Sequence, residues 1–230
     1  VYTYQIKLDF TQTPRKTSGM KIICIGMNYA DHVKELPSVW DGKERPIPQQ
    51  PVFFIKPDTA LLRNNDPFYI PDFTNDLQYE CEVVVRINRL CKGIEERFAH
   101  RCYEEVGLGI DFTARDLQRR CKAEGLPWEI AKGFDHSAAV SPVFVPKSEL
   151  PDIQRIRFSM DLNGERKQTG FTGDMIFSVD RIIAYVSRFV TLRIGDLIFT
   201  GTPVGVGQVH IGDRLTAEME GRPMLDFDIK

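Results

Sequence analysis

The sequence lacks the features of several large classes of protein. It has no apolar run longer than a strand, no block of like charges and no zinc-finger spacing. Its formal net charge is only −2, and the basic residues form no stripe with interleaved aromatic residues. These absences argue against nucleic acid as the main partner. The apolar runs are also too short to cross a bilayer, so we expect no membrane partner.

Cysteine is sparse and follows no recognisable pattern. The chain has five cysteines, an odd number, and none of them forms a Cys-x-x-Cys pair. No apolar secretory segment opens the sequence. These features predict reduced thiols in a cytoplasmic protein, mostly buried as small apolar residues and without a catalytic role. The residues concerned are Cys24, Cys81, Cys91, Cys102 and Cys121.

Length and composition set limits on domain organisation. A chain of 230 residues can bury roughly 70–75% of its unfolded surface, which suffices for a substantial core. Residues 1–19 are rich in Thr, Gln and Lys, and we interpret them as a leader or N-terminal extension. Residues 20–230 then form a single domain that begins with a strand. A native strand over residues 2–8 is the alternative interpretation.

The most informative pattern is a pair of glutamates before a β-branched run. Glu80 and Glu82 are two residues apart, so on a strand their side chains point to the same face. Two such carboxylates 4 Å apart repel by roughly 4 kcal/mol at an effective dielectric constant of about 20, unless water or a cation separates them. Asp111, which ends a second apolar stretch, can supply a third oxygen. Carboxylate ligands suit Mg²⁺ or Mn²⁺ rather than zinc, although an edge strand with a solvated acidic face fits the spacing equally well.

A second pattern pairs a histidine with a glutamate. His32 and Glu35 lie at positions i and i+3 of a helix predicted over residues 28–36, with Asn28 as its N-cap, so they share one face. A carboxylate that accepts from one imidazole nitrogen makes the other nitrogen a general base for water. The HExxH signature of zinc proteases is absent. An exposed helical ion pair is the simpler interpretation of the spacing.

Two further segments contain residues that can bind an anion. Lys132 lies in an apolar, strand-like stretch before a glycine and can project into a pocket, or extend its ammonium group to solvent at a strand end. Residues 200–207, which include Thr202, are rich in glycine but lack a Walker lysine and do not fit GxGxxG. We therefore exclude nucleotide binding there. The segment can form a backbone nest for a small carboxylate or a plain turn.

Turn and capping residues define most of the remaining elements. A mobile, Pro-rich loop is predicted over residues 37–51 and would suit an active-site lid. A buried strand is predicted over residues 51–56, and a hairpin at Asn163-Gly164. Two helices are predicted, one over residues 113–124 that Gly125 closes, and one that Ser178 caps, that runs to residue 190 and that buries Ile182, Ile183, Val186 and Phe189.

Taken together, seven segments resemble the fumarylacetoacetate hydrolase family, and most closely its short acylpyruvase-like branch. They occur in the family's order and extend the resemblance from residue 20 to the C-terminus. The segments are NYADHVKEL (residues 28–36), FIKP (54–57), the Glu80/Glu82 pair, DFTARDLQ (111–118), GLPWEIAKGFD (125–135), MIFS (175–178) and DLIFTGTPVGVG (196–207).

The resemblance implies a fold and a set of site residues. The fold is α+β but mainly β, a mixed β-sandwich or roll with a few short helices, and the protein is expected to be a homodimer. Residues 20–230 would form one catalytic domain with bound Mg²⁺, or with Mn²⁺ or Ca²⁺ instead. The implied roles are metal ligation by Glu80, Glu82 and Asp111, catalysis by the water-activating pair His32 and Glu35 together with Lys132, and substrate binding by Arg115, Gln118 and Thr202. Met27 departs from the family pattern, which commonly has a basic residue there.

The resemblance also implies an activity on a small 2-oxo acid. The first expectation is a metal-dependent hydrolase that cleaves a C–C bond of acylpyruvates to give pyruvate and a carboxylic acid, with oxaloacetate decarboxylation as a second activity. An isomerase or tautomerase acting on 2-hydroxyhepta-2,4-diene-1,7-dioate or on oxaloacetate is the alternative. A metal-binding relative without turnover is the third reading, and the presence of His32, Glu35 and Lys132 disfavours it.

Overall fold

The computed structural model describes residues 19–35, 46–150 and 152–230, with the side chain of Glu35 excluded. Nearly all of the predicted extension, and residues 37–45 of the predicted lid, lie outside these ranges. The strands are β1 (Ile22–Gly26), β2 (Val52–Lys56), β3 (Leu61–Leu62), β4 (Leu77–Tyr79), β5 (Cys81–Ile87), β6 (Tyr103–Asp111), β7 (Thr113–Ala114), β8 (Ala138–Val140), β9 (Val145–Pro146), β10 (Arg157–Leu162), β11 (Glu165–Phe171), β12 (Leu197–Phe199), β13 (Gly207–Gln208), β14 (Arg214–Met219) and β15 (Arg222–Asp228). The α-helices are α1 (Ala30–Glu35), α2 (Glu96–Ala99), α3 (Arg115–Glu124), α4 (Glu129–Lys132) and α5 (Val179–Phe189).

The largest sheet positions the acidic residues. Its strand order is β2-β1-β12-β5-β6-β8-β3, with β9 also paired to β6. The antiparallel pairing of β5 with β6 places Glu82 opposite Gly109 and Cys81 opposite Ile110. One residue further along, Asp111 N donates to Glu80 O over 2.8 Å. The register of these two strands therefore brings all three predicted metal ligands to one end of the sheet.

Two smaller sheets complete the mainly β architecture. One has the order β11-β10-β14-β15 and the other the order β13-β4-β7. Phe227 of β15 meets Phe112 edge to face, and Phe112 stacks on Phe68 with ring centroids 4.1 Å apart. The apolar faces of the four-stranded sheet and the largest sheet thus share one core. The fold is the mainly β arrangement with short helices that the resemblance implied.

Several local predictions are confirmed. Gly125 follows α3 with φ of 67°, a left-handed conformation that glycine adopts without steric cost. Asn163 and Gly164 have φ of 55° and 78° and join β10 to β11 in a hairpin. The Ser178 hydroxyl accepts from Arg181 N over 3.1 Å and so caps α5.

Asn28 is not the predicted N-cap of α1. Its side-chain amide donates to Phe177 O and Thr200 O over 3.1 and 2.7 Å, and its oxygen accepts from Phe177 N over 2.8 Å. These partners lie about 150 or more residues away in sequence. Asn28 therefore ties together two distant loops, which no local capping pattern reveals.

Three other local predictions were wrong. β2 is an edge strand of the sheet and is mostly half-buried rather than buried. Phe189 ends α5 and is 55% exposed, while Ile182, Ile183 and Val186 are buried as expected. Thr113 and Ala114 form β7 rather than the first turn of α3.

The cysteine prediction was also wrong in part. Cys91 and Cys102 form a disulfide, whereas Cys24, Cys81 and Cys121 are free and buried, as expected. The two cysteines are 11 residues apart, and the segment between them contains α2 and brings Cys102 back to Cys91. An odd number of cysteines without a motif gave no indication of this pairing.

No helix in the described ranges combines the length and the apolar character needed to cross a membrane.

Candidate active site

One cleft brings the predicted site residues together. Its lining includes eight of the nine residues that the sequence singled out, namely His32, Glu80, Glu82, Asp111, Arg115, Gln118, Lys132 and Thr202. The ninth is Glu35, whose backbone belongs to α1 and whose side chain lies outside the described part. Lys122 and mainly apolar residues, among them Phe54 and Trp128, complete the lining.

Three carboxylates converge on one side of the cleft. Each of Glu80, Glu82 and Asp111 offers an oxygen within 4.8 Å of the others, and all three side chains are buried. Glu82 Oε2 also accepts from Gly201 N over 2.6 Å. Buried carboxylates at this separation repel strongly unless a cation compensates them.

Two cations compensate Glu80. Lys132 Nζ donates to Glu80 Oε2 and to Asp111 Oδ2, each over 2.8 Å, and Arg115 Nη2 donates to Glu80 Oε1 over 2.5 Å. Burial alone would raise the pKa of Glu80, but Lys132 and Arg115 outweigh it and hold that pKa well below its ordinary value. Glu80 is therefore ionised.

Lys132 reaches the cleft from a short helix, not from the predicted strand. It occupies the last turn of α4, and its carbonyl accepts from Ser137 Oγ over 2.8 Å. Burial lowers the pKa of this lysine, but Asp111 and Glu80 outweigh the burial and raise it. Of the two sequence-based interpretations of Lys132, projection into a pocket is the one observed, since Lys132 lines the cleft, although it does so from a helix and not from a strand.

Glu82 is in a different electrostatic position from Glu80. Burial, Asp111 and Glu80 raise the pKa of Glu82 well above its ordinary value of 4.5, and Gly201 N and Lys132 compensate only in part. In the absence of a further cation, ionisation of Glu82 is therefore unfavourable. A divalent ion beside Glu80, Glu82 and Asp111 would remove this penalty.

Lys56 is a buried partner of Asp111 that the sequence reasoning did not identify as a site residue. Its ammonium group donates to Ser137 O, Ser137 Oγ and Phe112 O over 2.7, 3.0 and 3.3 Å. It also lies 2.7 Å from Asp111 Oδ1 and so compensates part of the charge of that carboxylate. Within the described residues, this contact lacks hydrogen-bond geometry, so the buried Asp111 Oδ1 accepts no hydrogen bond. An oxygen with a free acceptor position and the converging carboxylates fit a divalent cation with oxygen ligands.

His32 belongs to the cleft and not to the solvent-exposed face of α1. It is only 4% exposed and lines the same cleft as the carboxylates. The simpler interpretation of an exposed His32–Glu35 pair is therefore wrong for the histidine. The pairing itself stays a prediction, because it depends on the Glu35 side chain.

Arg115 and Gln118 form a connected polar row at the start of α3. Besides its bond to Glu80, Arg115 donates through Nε to Gln78 Oε1 and through Nη1 to Gln118 Oε1, each over 2.8 Å. Both side chains are buried at the cleft. The row supplies hydrogen-bond donors beside the carboxylate cluster.

Gln168 is a second residue that the sequence reasoning missed. Its Nε2 donates to Thr202 Oγ1 and Pro203 O over 2.8 and 3.0 Å, and its Oε1 accepts from Cys81 N over 2.9 Å. Thr202 Oγ1 in turn donates to Cys81 O over 2.8 Å. Gln168 thus fixes the Thr202 loop against the strand that carries Glu80 and Glu82. A buried amide at an inward position of the alternating strand β11 was the available signal.

Comparisons with known proteins agree with this geometry. Residues 21–230 match the family described as fumarylacetoacetate (FAA) hydrolase C-terminal. The chain is 41% identical over 212 residues to the mitochondrial oxaloacetate tautomerase FAHD1 of Bos taurus, covering 92% of each chain. It is 40% identical over 205 residues to the oxaloacetate tautomerase YcgM of Escherichia coli, covering 89% of this chain and 90% of that one.

A solved structure extends the comparison to a bound metal. The fumarylpyruvate hydrolase of Pseudomonas aeruginosa, in complex with Mn²⁺ and pyruvate, superposes with a TM-score of 0.81 at 35% identity. The alignment covers 91% of this chain and 88% of that one. That complex and the acidic cluster described above both indicate a site for a divalent metal.

Proposed function

This chain belongs to the fumarylacetoacetate hydrolase family, and we propose that it is a metal-dependent enzyme that interconverts the keto and enol forms of oxaloacetate. One observation carries the proposal, namely the 41% identity to an oxaloacetate tautomerase across 92% of both chains. The cleft supports it, because it combines carboxylates, cations and a buried histidine. The sequence alone favoured hydrolysis and held tautomerisation as the alternative. Because of the similarity to oxaloacetate tautomerases, we place tautomerisation first and hydrolysis second.

We propose Mg²⁺ as the physiological ion, with Mn²⁺ as a functional substitute. Glu80, Glu82 and Asp111 would hold it, since all three offer oxygens close together. When bound, a divalent cation supplies Lewis acidity toward the oxygens of a 2-oxo acid. The Mn²⁺ of the Pseudomonas aeruginosa enzyme supports this assignment.

The protein's own residues bind the substrate and move its proton. Arg115 and Gln118 orient the 2-oxo acid group through their polar hydrogens, and the Thr202 loop receives its carboxylate. His32 takes the proton from carbon 3 of the keto form, since histidine is the most frequent general acid–base residue. The charge that develops on the 2-oxygen is stabilised by the nearby ammonium group of Lys132. His32 releases the proton to solvent, and solvent supplies a proton to that oxygen, which completes the enol and regenerates neutral His32. The reverse steps restore the keto form.

The tautomerase proposal can be tested by following the enol directly. Enol oxaloacetate is diluted into buffer with Mg²⁺, and its ultraviolet absorbance is recorded with and without the protein. We expect decay far above the uncatalysed rate, removal of this excess by a chelator, and its return when Mg²⁺ is added. Decay at the uncatalysed rate would refute the proposal.

Cleavage of acylpyruvates is a second candidate function. The observation that favours it is the similarity to a fumarylpyruvate hydrolase that binds pyruvate. Here His32, assisted by Glu35, would deprotonate the water that attacks the distal carbonyl. Pyruvate release from short acylpyruvates and from oxaloacetate, followed with lactate dehydrogenase, tests hydrolysis and decarboxylation together. Oxalate, a planar mimic of the pyruvate enolate, should inhibit competitively, and a lack of pyruvate from any substrate would leave tautomerisation alone.

A further inference from the structure

Lys122 lines the cleft but has no role in the site described so far. It follows Gln118 by one helical turn, so that Arg115, Gln118 and Lys122 share one face of α3. Its ammonium group donates to Gln118 Oε1 over 3.2 Å and lies 5.2 Å from the centre of the Trp128 ring. Lys122 thus extends the polar row of α3 away from the carboxylate cluster.

The charges that line the cleft are suited to a substrate with two negative charges. Glu80, Glu82 and Asp111 are matched in number by Arg115, Lys122 and Lys132, which are the basic side chains among the described lining residues apart from His32. A bound divalent cation would leave a formal surplus of two positive charges. Lys56, which forms an ion pair with Asp111, raises this surplus to three. A dicarboxylate therefore offsets more of the surplus than a monocarboxylate does.

Arg115 and Lys122 reach the cleft from different turns of α3. Arg115 is bonded to Glu80 beside the carboxylate cluster, whereas Lys122 begins two turns later, and the two cationic groups meet at Gln118 Oε1 as close neighbours. Lys122 donates to the neutral amide oxygen that Arg115 also uses. A carboxylate is a stronger acceptor for an ammonium group than an amide.

We propose, on the basis of the function proposed above, that Lys122 binds the distal carboxylate of the substrate and makes the site selective for dicarboxylic 2-oxo acids. The 2-oxo acid end lies at the carboxylate cluster and the distal carboxylate beside the ammonium group of Lys122. That ammonium group is 5.2 Å from the centre of the Trp128 ring, and the cation–π attraction favours its position in the cleft.

Paired ligands that differ only at the distal end test this assignment. Malate and lactate share a 2-hydroxy acid group, but only malate carries a second carboxylate. Their affinities are measured by isothermal titration calorimetry in Mg²⁺ for the wild type and for Lys122→Met, which keeps an unbranched apolar stem. We expect malate to bind about tenfold more weakly to the variant, as the loss of one charge-assisted hydrogen bond predicts, and lactate to be unaffected.

Two further variants separate recognition from structure and from general electrostatics. Lys122→Arg keeps the charge and should restore malate binding. Arg120→Met removes an exposed positive charge from the same helix, outside the cleft lining, and should change neither affinity. Equal losses for both ligands, no loss for either, or a wild type that binds malate no more tightly than lactate would each overturn the proposal.

The outcome is independent of the proposed reaction. If the malate-specific loss occurs in a protein without tautomerase activity, only the proposed function fails. If the enzyme tautomerises oxaloacetate but Lys122→Met does not discriminate between the two ligands, only the role of Lys122 fails.

Discussion

The two walls of the cleft are built from different secondary structure. The strand wall consists of Glu80, Glu82 and Asp111, which are carried on or directly beside β5 and β6 and are placed by the register of that pair. The helical wall carries His32, Arg115, Gln118, Lys122 and Lys132 on α1, α3 and α4, which have six, ten and four residues. Strand pairing holds the backbone of the acids through hydrogen bonds between β5 and β6, whereas helices of ten residues or fewer depend on their contacts with the rest of the protein.

The two walls differ in the functions that we expect of them. The strand wall holds charges that repel one another and are buried, a costly arrangement that needs a rigid frame. The helical wall supplies the compensating cations, whose long side chains can exchange partners when a substrate arrives. We therefore expect substitutions in the strand wall to affect metal binding and stability, and substitutions in the helical wall to affect turnover and specificity.

The largest expected effect is on turnover and arises in the helical wall. His32→Ala removes the proposed general base and should lower the rate of acylpyruvate hydrolysis or oxaloacetate tautomerisation by ~10²–10⁴. Mn²⁺ affinity, measured by titration calorimetry, should not change, because His32 is not a member of the carboxylate cluster. A large loss of Mn²⁺ affinity in this variant would contradict the expectation that metal binding depends on the strand wall and turnover on the helical wall.

Metal affinity should depend mainly on the strand wall. Glu82→Gln replaces a proposed carboxylate ligand with a neutral amide and should weaken Mn²⁺ binding by about 100-fold or more, a larger loss than removal of a residue that only supports a ligand typically causes. Glu104→Gln, on an exposed position of β6, is the matched control and should bind Mn²⁺ normally. Unaltered binding by Glu82→Gln would exclude Glu82 as a ligand.

Gln168 tests whether the Thr202 loop belongs functionally to the strand wall. In Gln168→Glu, the acceptor for Cys81 N remains, but the donors to Thr202 Oγ1 and Pro203 O are lost. We expect kcat/KM to fall by about 10- to 100-fold, the range typical of a residue that orients a site group, mainly through a raised KM. Thr202→Ser, which keeps the hydroxyl, should remain close to wild type. Equal losses in both variants would indicate a packing effect.

A smaller effect on stability should come from Gly109, which lies opposite Glu82. A Cβ at this position would come within 2.4 Å of Phe199 Cε1 and 2.8 Å of Ala139 O. Gly109→Ala should therefore destabilise the fold by about 1–3 kcal/mol in urea unfolding, as overpacking does. Gly26→Ala, whose nearest such contact is 3.9 Å, should cost much less. If the two variants were equally stable, the strands around position 109 would have shifted to accommodate the added methyl group at little cost.

The smallest effect concerns pH. Because the folded protein raises the pKa of Glu82 above 4.5, the folded state holds this proton more tightly than the unfolded chain. Without metal, the contribution of Glu82 to the free energy of unfolding should therefore fall as the pH rises above about 4.5. The stability of the metal-free wild type minus that of Glu82→Gln should decrease over that range. Saturating Mn²⁺ should abolish this trend, and a difference that is independent of pH would contradict it.

Much of the cleft could be predicted because short sequence segments contain most of its polar residues. The spacing of Glu80 and Glu82 specified a shared face on any strand, and Gly125 and Ser178 marked helix ends through local backbone chemistry. The resemblance then supplied Arg115, Gln118 and Thr202, which all line the cleft. Lys132 lies at a pocket, as one interpretation of the sequence predicted, but on the helix α4 and not on a strand.

The residues that were missed or misjudged depend on distant partners. Asn28 was expected to cap a helix, yet its amide bonds to residues 149 and 172 positions away. Lys56 and Gln168 bind Ser137 and Thr202, 81 and 34 residues away. Cys91 and Cys102 are near in sequence, but only the turn through α2 brings their sulfur atoms together.

The sequence by itself determined the spacing of Glu80 and Glu82 and the helix ends at Ser178 and Gly125, because strand periodicity and capping are local properties, and the family resemblance supplied the mainly β fold. Only the tertiary structure decided that Glu82 is poorly compensated while Glu80 is well compensated, that His32 faces the cleft, and that Lys122 continues the row begun by Arg115. The physical reason is that desolvation and Coulomb interactions depend on distances through space, and these distances are fixed by the pairing of β5 with β6 and the packing of α3 against α4, β4 and β7.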